Sequence, residues 1–385
     1  MKIESIETIL VHEWMFVRIT TDTGEVGIGQ TAYWGFPDAS ERIADSFKDF
    51  LIGRDPSQIG LLWQEMYRTV PFRGGALTGA IAAVDIALWD LKARHLGVPI
   101  YELIGGKQRD RVRLHAVLAT GWQDRKTSVD AFVEAATHAA DEGFTAIKFD
   151  PFAEGDEGFQ TLSHSQRVKD AVDTVAAVRE AVGWEVDIAL ELHRKFGPAE
   201  ALVFIDQIEQ FNIYMLEDAL QPDSMDSWGE LATKVRVPMG AGERQDSIYE
   251  FKELIARGAA QFVRPDIGTA GGFTACLKIA AMAEAYHGEM IFHNYVSPLL
   301  TAATLQIYAA LPNIRTLEYT LLDEQEPRNK LLKKPLVRDG GWLMVPDGPG
   351  LGVEIADDFE ETLGPFNRWR PNVTWRNEDG SLYAR

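Results

Sequence analysis

Residues 187–194 read Asp187-Ile188-Ala189-Leu190-Glu191-Leu192-His193-Arg194, a short apolar run that breaks into charge at its end. The same pattern recurs downstream, in Met215-Leu216-Glu217-Asp218, Gly240-Ala241-Gly242-Glu243-Arg244, Val263-Arg264-Pro265-Asp266, Phe292-His293-Asn294 and Leu317-Glu318-Tyr319. Upstream it is found once more, in Ile147-Lys148-Phe149-Asp150. Short continuous apolar runs are the signature of strands covered on both faces, as in a parallel sheet. Eight such runs are legible: Leu114–Leu118, Ala146–Phe149, Asp187–Leu190, Ile213–Leu216, Val237–Gly240, Gln261–Val263, Glu289–Phe292 and Arg315–Leu317. Between them lie stretches of helical periodicity, such as Val129–Asp141, Arg167–Val182, Ala199–Gln210 and Phe273–Tyr286. Eight β/α units in succession predict the α/β class and a closed (β/α)8-type barrel with an irregular last helix.

The flanks have a different texture. Lys2–Leu10, Phe16–Thr20 and Val26–Gln30 alternate apolar and polar residues, with a turn at Asp22-Thr23-Gly24, and read as a meander of antiparallel strands. A helical pattern over Ala80–Leu96 stops at Gly97. The reading is an α+β capping domain over residues 1–112, the barrel over 113–321, and a tail over 322–385 that returns towards the capping domain.

Composition narrows the function. Of 385 residues, 58 are Asp or Glu and 38 are Lys or Arg, a formal net charge of −20, which disfavours nucleic-acid binding because the field repels phosphate backbones. An anionic small molecule stays compatible, because a bound cation inverts the local potential. A single cysteine, Cys276, excludes a disulfide framework and a cysteine-rich zinc site, and its apolar surroundings read as core. Met1–Val11 has no apolar leader and no stretch is long enough to span a bilayer, so a cytoplasmic protein is expected.

Catalytic groups of such barrels sit where strands end and loops begin. Glu191, Glu217 and Glu243 fall at three successive strand ends, 26 residues apart each time. One glutamate in a loop is usually a solvated charge. Three in register converge on one point, where they would repel strongly without a cation, and hard oxygen donors with room for water suit Mg²⁺. His293 and Asp266 come from neighbouring strands, an arrangement that fixes the imidazole tautomer and raises its basicity. His193, two residues after Glu191, shares its side of the strand and faces His293 across the mouth as a second acid/base.

Beyond these residues the chain resembles the enolase superfamily, mandelate racemase-like branch, and most closely its acid-sugar dehydratases of the galactonate dehydratase type. The resemblance is carried by Trp14-Met15-Phe16, Phe72-Arg73-Gly74-Gly75, the run Ala83-Val84-Asp85-Ile86-Ala87-Leu88-Trp89-Asp90 and Ile104-Gly105-Gly106 in the first domain. In the barrel it rests on Ala241-Gly242-Glu243-Arg244, Arg264-Pro265-Asp266 and Ala270-Gly271-Gly272. Near the end it rests on Pro349-Gly350-Leu351-Gly352-Val353-Glu354 and Trp375-Arg376-Asn377-Glu378-Asp379. Glu191 stands where most relatives have Asp, Glu217-Asp218-Ala219 replaces Glu-Glu-Pro, and Lys148 is followed by Asp150 in place of a second lysine.

The resemblance implies one Mg²⁺ per active site on Glu191, Glu217 and Glu243. It makes His293 with Asp266 the base, His193 the general acid, and Glu318 an acid that binds the activated carboxylate. Lys148, Asp150 and Arg264 are expected to contact substrate, and Trp14, Trp34 and Arg73 to lie on capping-domain loops that close over it. The implied activity is that of a hydro-lyase, turning a sugar acid such as an aldonate into a 2-keto-3-deoxy acid. The alternatives are a cycloisomerase or epimerase of a sugar acid or its lactone, and a sugar-acid binding protein without turnover. A homo-oligomer is expected by resemblance alone.

Overall fold

The computed structural model describes residues 1–118, 128–152, 162–368 and 379–381. Three antiparallel strands open it: β1 (Ile3–Val11), β2 (Trp14–Thr21) and β3 (Val26–Thr31). The helix Gly75–Leu96 lies against β3 and is buried on nearly every side, as an apolar surface all round requires. The approach is so close that a Cβ at Gly29 would lie 2.0 Å from the Ala83 carbonyl oxygen, so only glycine fits there.

Eight parallel strands follow: β4 (Arg111–Val117), β5 (Ala146–Phe149), β6 (Asp187–Glu191), β7 (Met215–Glu217), β8 (Met239–Ala241), β9 (Phe262–Val263), β10 (Glu289–Met290) and β11 (Leu317–Tyr319). They pair in sequential order, β11 returns to β4, and a bridge between Met290 and Ile314 closes the ring. This is the expected barrel under an N-terminal cap. One strand, β5, coincides with its apolar run; the others differ from theirs by one to three residues at one or both ends. The run Ile213–Leu216, for example, becomes Met215–Glu217, because the hydrogen-bond ladder extends into the charged end. A hairpin of β12 (Arg338–Asp339) and β13 (Trp342–Met344) adds antiparallel to the first half of β4.

The motif stretches that lie far apart in sequence meet each other in space. Asp85 accepts from the backbone and hydroxyl of Thr274 at 3.0 and 2.6 Å, at the start of the helix Gly272–Ala285, and Trp63 Nε1 donates to the Gly271 carbonyl at 2.8 Å. Asp90 accepts from the Leu351 N–H at 2.8 Å and from the Ile28 N–H at 3.1 Å. Phe359 packs edge-on against Phe16 at 5.4 Å and the Asn367 N–H reaches the His12 carbonyl, two contacts between the tail and the first two strands. Trp375–Glu378 lie outside the described residues. Cys276 is free and buried. Among the described residues no helix is long and apolar enough to cross a membrane.

The Asp85 contact gives a testable pH dependence. Burial pushes this carboxyl from 3.8 up to about 7, with the Thr274 hydrogen bonds opposing. An acid whose folded-state value is raised holds its proton more tightly folded than unfolded, so stability declines as pH climbs from its unfolded to its folded value. Asp85→Asn removes that term. In urea titrations the variant is expected to gain on the wild type between about pH 4 and pH 7, and to gain nothing further above. A difference independent of pH would contradict the assignment.

Candidate active site

The three glutamates converge. Glu191 and Glu217 are direct neighbours in the β6–β7 register, Glu243 follows β8, and one carboxylate oxygen from each lies within 4.8 Å of the others. Two cations lie against them. Lys148 Nζ, from β5, is 2.7 Å from Glu217, 3.1 Å from Glu318 and 3.5 Å from Glu191. Arg264, just after β9, places Nε 2.7 Å from Glu217 and also pairs with Glu318. To reach Glu217 on β7 it must cross β8, and it does so over Gly240, where an added Cβ would sit 3.0 Å from Arg264 Cδ and 2.6 Å from Met215 Sδ.

The charges bear on whether a cation fits. Burial, reinforced by Glu243 and Asp218 and opposed by Lys148, pushes Glu191 up to about 7. Burial and the Glu191 charge push Glu217 up to about 8 against the pull of Arg264. Glu243 stays well below the usual carboxylate range, since Arg244 and His293 outweigh its burial. Two carboxyls driven towards neutrality beside a third that stays ionised mark a cluster short of positive charge. Three convergent hard oxygen donors in that state fit a divalent cation such as Mg²⁺.

His293 Nδ1 is 2.6 Å from Asp266 Oδ2, and its Nε2 is 3.5 Å from Glu243. Burial would lower this imidazole, but Glu243 and the Asp266 hydrogen bond raise it to about 10. His193, just beyond β6, donates its backbone N–H to Glu191 at 2.8 Å, and burial lowers its ring from 6.5. In a ring of eight strands, β6 and β10 are four apart, so the two imidazoles stand on opposite sides of the mouth. His193, Arg194 and Asp218 all have positive φ, of 45°, 61° and 43°, a strained backbone of about 1–3 kcal/mol each that is typical of a functional site.

Several expected substrate contacts are placed differently. Arg264 is fully buried and Lys148 is 4 % exposed, so both are committed to carboxylates. Glu318 turns both oxygens to those two cations. Asp150 is occupied by His193, Lys195 and the Phe152 N–H. Trp14 is 3 % exposed, packed between His12 and Phe16 under the Arg328 guanidinium, because the tail folds over it. Arg73 lies over the Tyr67 ring and lines a cleft of about 400 Å³ whose walls all come from residues 33–77. Trp34 alone of these stays near the mouth, half-exposed and edge-on to Tyr295, two residues after His293.

Four residues that the sequence reading did not single out also belong here. Lys195 pairs with Asp150, and Arg244 Nε bonds Asp218 at 3.0 Å. Arg194 donates its backbone N–H to the Asp218 carbonyl, while its Nε is buried with no hydrogen-bond partner among the described residues. The available signal was position: each lies within four residues of a triad glutamate.

Comparison with known proteins agrees with this geometry. Residues 3–105 match the mandelate racemase/muconate lactonizing enzyme N-terminal domain family, and residues 131–359 match the enolase C-terminal domain-like family. A D-galactonate dehydratase from Verminephrobacter eiseniae is 35 % identical over 390 residues, covering 99 % of each chain. A member of the enolase superfamily from Salmonella Typhimurium superposes with a TM-score of 0.89 at 31 % identity, covering 94 % of this chain and 97 % of that one. An enolase from Agrobacterium radiobacter, solved with bound sodium and L-malate, superposes with a TM-score of 0.90 at 29 % identity over all of both chains. With both domain families matched and the whole fold shared, the chain belongs to the enolase superfamily, in its mandelate racemase/muconate lactonizing enzyme branch.

Proposed function

We propose that the protein is a hydro-lyase that dehydrates a sugar acid, an aldonate of the galactonate kind, to a 2-keto-3-deoxy acid with one Mg²⁺ per site. The observation that carries this reading is the pair of opposed imidazoles beside the carboxylate triad. Full-length identity of 35 % to proteins described as D-galactonate dehydratases supports the substrate class. Glu191, Glu217 and Glu243 would hold the cation, which when bound supplies Lewis-acid stabilisation of charge on the substrate carboxylate.

The chain's own residues do the proton work. The hydrogen on the carbon beside a carboxylate is very weakly acidic; a cation held by Glu243 would offset the charge that keeps the His293 imidazole protonated, and the neutral Nε2 would then remove that hydrogen while Asp266 holds the Nδ1 proton. His193, across the mouth, protonates the β-hydroxyl as it departs, and the resulting enol tautomerises to the keto acid. Lys148, Arg264 and Glu318 form the buried charge network that holds Glu217 in place. Arg194, with its unmet donor, binds the oxygen-rich substrate, and Trp34 excludes water. The test is a panel of aldonic and aldaric acids with Mg²⁺, read by semicarbazone formation from 2-keto acid. Turnover of an aldonate is expected; tight binding of every acid without keto-acid release would contradict the proposal.

A further inference from the structure

The two histidine sites are copies of one another. After β9, Asp266 accepts the Gly268 N–H on Oδ1 at 2.7 Å and meets His293 Nδ1 through Oδ2 at 2.6 Å. After β5, Asp150 accepts the Phe152 N–H on Oδ1 at 2.8 Å and meets His193 Nδ1 through Oδ2 at 2.6 Å. In each case the aspartate bonds the backbone two residues on, a turn that fixes its carboxylate, and the histidine sits just beyond the next strand. The strand pairs β5–β6 and β9–β10 are four places apart in the ring, so the two dyads are related by a half-turn about the barrel axis.

One difference separates them. Lys195 Nζ also pairs with Asp150 Oδ2, and lysine and aspartate are both buried, at 8 % and 7 % exposure. Among the described residues no lysine or arginine pairs with Asp266. Asp150 is thus held from three directions: its own backbone turn, the imidazole and the ammonium.

We propose that Asp150 is a positioning residue for the elimination step, and that Lys195 fixes Asp150 for that task. An imidazole can present either nitrogen to a substrate, and a carboxylate on Nδ1 decides which. With Nδ1 committed to Asp150, Nε2 becomes the nitrogen that serves the substrate, the counterpart of His293 Nε2 beside Glu243. Asp150 therefore does for the departing hydroxyl what Asp266 does for the α-proton, without touching the substrate. Lys195 Nζ pairs with that same oxygen, so the aspartate is held in place when the histidine gives up its proton.

The inference rests on the dehydratase reading, and the experiment separates the two. Wild type, Asp150→Asn and Lys195→Gln are incubated with Mg²⁺ and the best aldonate in D₂O. Deuterium at C2 of recovered substrate reports proton abstraction, and 2-keto acid reports elimination. Asp150→Asn is expected to lose dehydration kcat by roughly 10-fold or more, the usual effect of removing a histidine's orienting carboxylate. KM should stay within about threefold, and C2 exchange should continue at or above the wild-type rate. Lys195→Gln should show the same split to a smaller degree, and carries the test alone if Asp150→Asn does not fold. Unchanged dehydration kcat, or equal loss of exchange and elimination, overturns the inference. A wild type that dehydrates no acid sugar overturns the underlying reading instead.

Discussion

His293→Asn abolishes deuterium exchange at the substrate α-carbon together with dehydration, each by roughly 10²–10⁴-fold, the range expected when a positioned general base is lost. Asparagine keeps a donor for Asp266 Oδ2, so the turn after β9 stays satisfied and the circular dichroism of the variant should match wild type. What it lacks is a basic nitrogen where His293 Nε2 lies, 3.5 Å from Glu243. His193→Asn separates the roles, since it leaves the base intact and should lose elimination while retaining exchange. Full-rate exchange in His293→Asn would refute its assignment as the base.

Arg264→Met is expected to cost about 3–5 kcal/mol in metal-free protein, the penalty for removing one partner from a buried ion-pair network and leaving Lys148 alone to balance two carboxylates. Arg264 is fully buried, its guanidinium bridges Glu217 and Glu318, and both carboxylates are themselves at most 2 % exposed. Methionine fills much of the volume over Gly240 and supplies no charge, so the loss reports electrostatics more than packing. Urea unfolding checks it. The double variant Arg264→Met/Glu318→Leu, which removes one stranded carboxylate, should recover part of the loss. A single variant as stable as wild type would show that the buried network contributes nothing to the fold.

Much of the barrel was readable from the chain because seven of its eight strands are apolar runs closed by an ionisable residue, so one signal marked both the element and its functional end. The glutamate triad and the His293–Asp266 pair followed from strand order alone. Partner choice inside the barrel was not readable, because side chains at successive strand ends all point to one small volume. Arg264 and Lys148 could equally have faced a substrate; the missing Cβ at Gly240, which opens the route to Glu217, takes meaning only once β7, β8 and β9 are adjacent. Asp150 was similarly ambiguous until β5 and β6 brought it to His193. Trp14 read as a loop residue because part of what buries it, the Arg328 guanidinium and the tail packed on Phe16, comes from more than 300 residues away.

The central claim is that Glu191, Glu217 and Glu243 form a single divalent-cation site. Calorimetric titration of Mg²⁺ into chelator-stripped protein tests it most directly, with the variant carrying all three glutamates as glutamine titrated alongside. The account predicts one ion per chain for wild type and none for the variant. No heat of binding in folded wild type at saturating Mg²⁺, or equal binding by both proteins, would contradict it.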